Sequence, residues 1–315
     1  MISRRSLIKI VATASTVAAL PSDVAFAATP REASTAAARK RMFHYGWVRD
    51  LPRAGIKAYG APLRVAQNLP KKVDLRPKMP PVYDQGQIGS CVSNAVAGAV
   101  QFLRMADNQL PNFVPSRLFI YYNGREIEGK IPSDSGLQLQ DAITAVERFG
   151  VCPESEWPYD ATPVDPKTNL FPATSRAVIL PPRNVYSDSY PHRAIAAFSI
   201  PQRLDQMQGC LAEGFPFAFG FTIYPSFYDP KTNSPRVTIP VPSSTDIPTQ
   251  DGHAVLAVGY DDSNQIFICR NSWNVIDSEG NGVQDHGHFY MPYNYLTSSD
   301  LAADFWTIRR VYSFL

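Results

Sequence analysis

The 315-residue chain predicts an α+β fold in which helices come first and antiparallel strands follow. Three observations carry this expectation. Apolar residues recur at helical spacing along 91–149, and short apolar or aromatic runs with turn residues between them fill 215–314. Hydrophobic residues make up 44% of the chain, enough to bury one large domain or two modest lobes. The boundary between the two parts is expected near residue 200.

Residues 1–27 read as a targeting segment that stands apart from the fold. Ser3-Arg4-Arg5-Ser6-Leu7-Ile8-Lys9 is a twin-arginine pattern, residues 10–20 are weakly apolar, and Ala25-Phe26-Ala27 offers small residues for cleavage. The mature chain is expected to begin at Ala28 and to be exported to the periplasm or beyond. No apolar run approaches the roughly 20 residues that span a bilayer, so no membrane anchor is expected after cleavage. Removing Arg4, Arg5, Lys9 and Asp23 brings the 30 basic and 28 acidic residues into balance. That balance argues against nucleic acid or an anionic membrane as partner.

Residues 28–69 are Ala/Arg-rich and then broken by Pro52, Gly55, Gly60 and Pro62, which suggests an N-terminal extension or short propeptide. Trp47, Val48 and Leu51 are expected to dock part of it on the core.

A helix is expected over 91–107, capped by Ser90, with Val92, Ala95, Val96, Ala99, Val100 and Leu103 on one face. Gly98 inside it costs about 1 kcal/mol against alanine, which points to close packing there. Further helices are expected over 116–127, over 137–149 with Gly150 as the stop, and over 202–213 before Gly214. Strands are expected over 215–224, 254–260, 265–271, 287–291 and 305–314, while the Pro-rich stretches 158–182 and 225–248 are surface excursions.

Asp84-Gln85-Gly86-Gln87-Ile88-Gly89-Ser90-Cys91 puts one cysteine at the start of a helix behind a Gly-rich turn. A free thiol has a pKa near 8.5, and a helix N-terminus or an imidazolium lowers it towards the reactive thiolate. Gln85 can aim its NH₂ at a developing oxyanion, with the Cys91 backbone amide as second donor; one such donor is worth about 3 kcal/mol. Residues 260–264 form a natural loop between two strands. A hairpin symmetric about Asp262 would set His253 opposite Asn271, so that the carboxamide holds the imidazole towards the thiol. Trp273, on the same side, would shield that contact from water. With Cys91 reactive, Cys152, Cys210 and Cys269 leave at most one disulfide. His286 and His288 alternate on a strand and share one face, but spacing supplies no third ligand, so no metal site is expected.

The blocks Pro81-Val82-Tyr83-Asp84-Gln85-Gly86 with Gly89-Ser90-Cys91, Gly252-His253-Ala254-Val255 with Val258-Gly259-Tyr260, and Asn271-Ser272-Trp273 resemble the papain family of cysteine peptidases. The resemblance covers about residues 70–310 and implies a helical lobe (about 85–200), a β-barrel-like lobe (about 201–315) and a cleft between them. It implies Cys91 as nucleophile, His253 as general base and acid, Asn271 as orienter and Gln85 as oxyanion donor. It also implies Gly136, Ala254 and Trp273 as substrate-binding positions. Expected is an exported, monomeric, cofactor-free peptidase acting on peptide or protein substrate. The alternatives are an amidase or acyltransferase with the same triad, or a catalytically silent binding protein. Departures from the family pattern are Ile88 for an upstream cysteine, Val92 for an aromatic, Asn274 for a glycine after Trp273, and His286-Gly287-His288-Phe289-Tyr290 for Gly-Tyr-Phe.

Overall fold

A computed structural model describes residues 45–276 and 282–312. The expected leader and the first part of the extension, through residue 44, lie outside the described residues. In chain order the elements are β1 (Trp47–Val48), α1 (Leu63–Ala66), β2 (Lys72–Asp74), α2 (Cys91–Ala106), α3 (Arg117–Ile127), β3 (Leu137–Gln138), α4 (Leu139–Arg148) and α5 (Arg183–Ser189). They continue with β4 (Ala194–Ser199), α6 (Leu204–Ala212), β5 (Phe217–Thr222), β6 (Gly252–Asp261), β7 (Ile266–Arg270), β8 (His288–Pro292), α7 (Tyr293–Leu296) and β9 (Ala302–Val311).

Helices α2, α3 and α4 pack on one another, and α2 also lies against β6, β9 and β5. Its buried residues include Val92, Ala95, Val96, Ala99 and Val100, the face read from helical spacing, but burial extends all round because α2 is sandwiched between α3 and α4 and the sheet. Close packing does explain Gly98. A Cβ there would sit 2.9 Å from Arg270 Nη1 and 3.6 Å from Leu256 Cδ2.

The sheet runs β4-β9-β5-β6-β7-β8, with β2 added beside β6, and every pairing in it is antiparallel. Its core is aromatic: the Phe219 and Phe305 rings stack at 5.7 Å, and Phe217 and Phe221 flank them. Three features of the sheet add to the sequence reading. Among the described residues β4 and β8 are its edges and do not pair, so the lobe is an open sheet and not a closed barrel. Strand β4 starts before residue 200, and its Ala-Ile-Ala-Ala-Phe-Ser stretch carries little strand propensity; long-range pairing with β9 decides it. Strand β2 is recruited from still further upstream.

Two local expectations also change. The Ser90 hydroxyl does not cap α2 but bonds Tyr159 Oη and accepts from Asn94 Nδ2. Leu51 is 66% exposed and docks through its backbone, the amide donating to Gln138 Oε1 at 2.9 Å and the carbonyl accepting from Gln140 Nε2 at 2.8 Å. All four cysteines are free and buried.

Candidate active site

Cys91 is the first residue of α2. The turn before it needs Gly86, whose φ of +59° suits glycine, and a Gly89 whose amide donates to both Asp134 oxygens at 3.0 and 2.9 Å. The Cys91 sulfur is fully buried and accepts a hydrogen bond from the Ala254 amide at 3.4 Å. The backbone amide of Gly46 also reaches the sulfur. Burial pushes the thiol up to about 12, against the opposing pull of these amides.

His253 and Asn271 meet, although not by the symmetric register. Leu256 pairs with Arg270 and Ala257 with Cys269, and a bulge follows between Ala257 and Gly259. Asn271 therefore falls opposite Val255, one pair over from His253 and on the same face. The two side chains bridge that diagonal: His253 Nε2 donates to Asn271 Oδ1 at 2.8 Å. That bond fixes the tautomer, leaving Nδ1 as the basic nitrogen, and Nδ1 has no hydrogen-bond partner among the described residues. Burial pushes the imidazole down to about 4, opposed by the Asn271 bond. Trp273 stacks on the ring at 4.6 Å and 20°, the covering position expected of it.

Gln85 is fully buried beside this group. Its Oε1 accepts from Ser272 Oγ at 2.7 Å, and its Nε2 donates to the Ile88 carbonyl at 3.0 Å. The carboxamide is thus locked to the loop that precedes Cys91.

Residues missed by sequence reasoning complete the site. Gln284 Oε1 accepts from Asn271 Nδ2 at 2.8 Å, and Gln284 Nε2 donates to the Arg236 carbonyl. Asp134 braces the Gly89 turn and accepts from Tyr121 Oη. Neither carries a sequence signal beyond the Asp134-Ser135-Gly136 turn itself. Asn274 occupies its glycine-like position at φ +63°, which asparagine tolerates, with its Oδ1 accepting from the Val275 amide. His286 lies in a turn at φ +50° and does not share a strand face with His288. No group of three or more metal-ligating side chains occurs among the described residues.

Residues 45–53 form a strap across this site. Trp47–Val48 pairs in parallel with Leu137–Gln138, the Leu137 amide donates to the Gly46 carbonyl at 2.7 Å, and the Gly46 amide donates to the Gly252 carbonyl at 3.1 Å. Contact is so close that a Cβ on Gly46 would lie 1.8 Å from the Gly89 oxygen. Gly136, at φ +68°, lines the same place: its Cβ would lie 2.3 Å from the Gly46 oxygen. The Tyr45 ring packs edge-on against His253 at 5.6 Å and Trp273 at 5.9 Å.

The pattern of the papain family cysteine proteases matches residues 69–295. The chain belongs to the papain family. It is similar to xylellain, a cysteine protease from Xylella fastidiosa, with 42% identity and a TM-score of 0.78 over 87% of this chain and 97% of that one. An uncharacterized peptidase C1-like protein of Acanthamoeba polyphaga mimivirus is 34% identical over 250 residues, which are 76% of this chain and 73% of that protein. A procathepsin B of Trypanosoma congolense, 14% identical with a TM-score of 0.62 over 87% of this chain and 89% of that one, shares the fold. The protein is accordingly a papain-like cysteine peptidase, a hydrolase of the α+β class, acting on peptide or protein substrate.

Proposed function

We propose that this papain-family peptidase works through Cys91, His253 and Asn271, and that the strap holds it latent. One observation carries the reading. The strand that presents His253, held by Asn271 at 2.8 Å, continues directly into the Ala254 amide that meets the Cys91 sulfur at 3.4 Å. His253 Nδ1 takes the thiol proton as sulfur attacks the scissile carbonyl. The Cys91 amide and Gln85 Nε2 receive the oxyanion, which requires Nε2 to turn from the Ile88 carbonyl. The protonated imidazole then delivers its proton to the leaving amine, and a thioester remains on Cys91. Water, activated by the same imidazole, releases the acid and regenerates the thiol. Asn271 keeps the ring aimed throughout, and Gln284 keeps Asn271 aimed.

With the strap seated, a thiol pushed up to about 12 and an imidazole pushed down to about 4 leave both partners neutral near pH 7. This supports latency. The twin-arginine leader supports export to the periplasm or medium before activation. The test is hydrolysis of a peptide library by the full chain before and after limited proteolysis. Activity should rise on trimming and vanish in Cys91→Ala. Equal activity before and after would end the latency reading, and turnover by Cys91→Ala would end the triad.

A further inference from the structure

The Pro-rich excursion between β5 and β6 reaches the site from the outer edge of the sheet. Its residues 237–239 lie along β8: the Tyr290 amide donates to the Val237 carbonyl at 2.8 Å, and the Ile239 amide donates to the Tyr290 carbonyl at 2.9 Å. Arg236, just before them, is held by its amide on the Phe227 carbonyl at 2.9 Å and by its Nε on the Ser226 carbonyl at 3.1 Å. The Phe227 ring stands edge-on to Trp273 at 6.0 Å. So fixed, the Arg236 carbonyl accepts from Gln284 Nε2 at 2.9 Å. Gln284 itself sits at φ +53°, a left-handed backbone that a residue with a Cβ adopts only at a cost. Such strain persists where surrounding contacts over-determine it, and here both ends of the carboxamide are bonded.

A main-chain carbonyl can only accept, so it faces the NH₂ of Gln284 and leaves Oε1 to the other side. Oε1 accepts from Asn271 Nδ2 at 2.8 Å, which turns Asn271 Oδ1 towards His253. Oδ1 accepts from His253 Nε2 at 2.8 Å, so the ring proton rests on Nε2 and the lone pair on Nδ1. A reversed Asn271 would offer an N–H to Nε2 and shift the ring proton to Nδ1, which could then take none from sulfur. The Ser272 amide, donating to Oδ1 at 2.8 Å, opposes that reversal locally, and the excursion opposes it from outside. We propose that the 225–248 excursion is a positioning element of the peptidase: through Gln284, the Arg236 carbonyl sets which nitrogen of His253 carries the proton. Gln284 is the positioning residue and acts through Asn271. This deepens the triad reading and rests on it.

Gln284→Gly separates positioning from stability, because glycine suits φ +53° while both side-chain bonds are lost. Thermal unfolding should come no lower than in the parent. In the chain trimmed by limited proteolysis, kcat should fall about tenfold with KM little changed. In the full chain with isotope-labelled histidines, nitrogen NMR shifts of His253 should show the proton on Nε2 in the parent and shared with Nδ1 in Gln284→Gly. Gln284→Glu keeps an acceptor for Asn271 Nδ2 and adds a charge that favours the imidazolium, so its kcat/KM profile should move to higher pH. Charged groups beside the relay are paired elsewhere, Arg236 with Asp229 at 3.5 Å and Asp285 with Arg76 at 3.1 Å. His286 is exposed, and Tyr45 packs on the imidazole itself. An unchanged kcat and tautomer in Gln284→Gly, a rise in KM alone, a loss of kcat matched by lower thermal stability, or an unmoved pH profile in Gln284→Glu would overturn the proposal. Absence of hydrolysis by the trimmed parent, with the tautomer set as described and lost in Gln284→Gly, would remove the peptidase reading and leave the relay intact.

Discussion

Burial is the main cause that pushes the Cys91 thiol up and the His253 imidazole down, each towards its neutral form. Alkylation of Cys91 in the full chain should therefore keep rising with pH up to about 12 instead of levelling near neutrality. A plateau below pH 8 would contradict this. Gln85→Ala removes the proposed oxyanion donor, so in the chain trimmed by limited proteolysis it should lower kcat about 100-fold with little change in KM. A rise in KM alone would assign Gln85 to substrate binding. Cys91, His253, Asn271, Gln85 and Trp273, the residues of the proposed site, were legible by residue type, and the structure brings them into one neighbourhood. Gln284 was not, since a glutamine that only steadies another amide looks like any polar residue in a loop. Asn274 illustrates the intermediate case: its departure from glycine is visible in sequence, but that asparagine keeps the left-handed turn emerges only from φ +63°.

Among the elements, the strap and the β6–β7 hairpin teach opposite lessons. The hairpin was read from its loop and turned out shifted by a bulge, yet alternation kept His253 and Asn271 on one face. The strap gave almost no local signal, because two residues of β structure form only by pairing with Leu137–Gln138 far along the chain. Gly46→Ala should drive the strap off the Gly89 carbonyl and speed Cys91 alkylation about tenfold or more, with thermal unfolding of the remaining fold unchanged. Unchanged alkylation would show that the strap does not guard the sulfur. The strap also carries a pH-sensitive clasp. Asp50, half-buried and next to Asp304, is pushed up to about 7 by desolvation and by Asp304, with Asp141 adding to the shift and the Gln140 amide and Trp306 opposing it. Arg53, paired with Asp141, and Arg49, near Asp304, are the cations facing this group. Because the docked value exceeds the ordinary 3.8, docking is favoured fully below about 4 and the favour is lost as pH rises through about 7. The ratio of parent to Asp50→Asn alkylation rates, in which the thiolate fraction cancels, should rise through pH 7. A flat ratio would contradict the clasp.

For the molecule as a whole, the order of helices then strands was legible from periodicity, and the main helices α2 to α4 do precede strands β5 to β9. What periodicity could not show is that the sheet borrows β2 and β4 from the first half and stays open, since those pairings depend on distant partners. Four free, buried thiols show a fold that needs no bridge, in keeping with the proposed export of a folded chain. Replacing Arg4 and Arg5 by lysine should trap folded precursor in the cytoplasm, and undiminished export would refute the twin-arginine route. The central claim is that three distant residues act as one nucleophilic unit. It is tested most directly by mapping, in the Gly46→Ala chain, the adduct of an epoxide-type thiol inhibitor. A single adduct on Cys91, slowed at least about tenfold by His253→Ala, is the predicted result; labelling of another cysteine, or an adduct indifferent to His253, would contradict it.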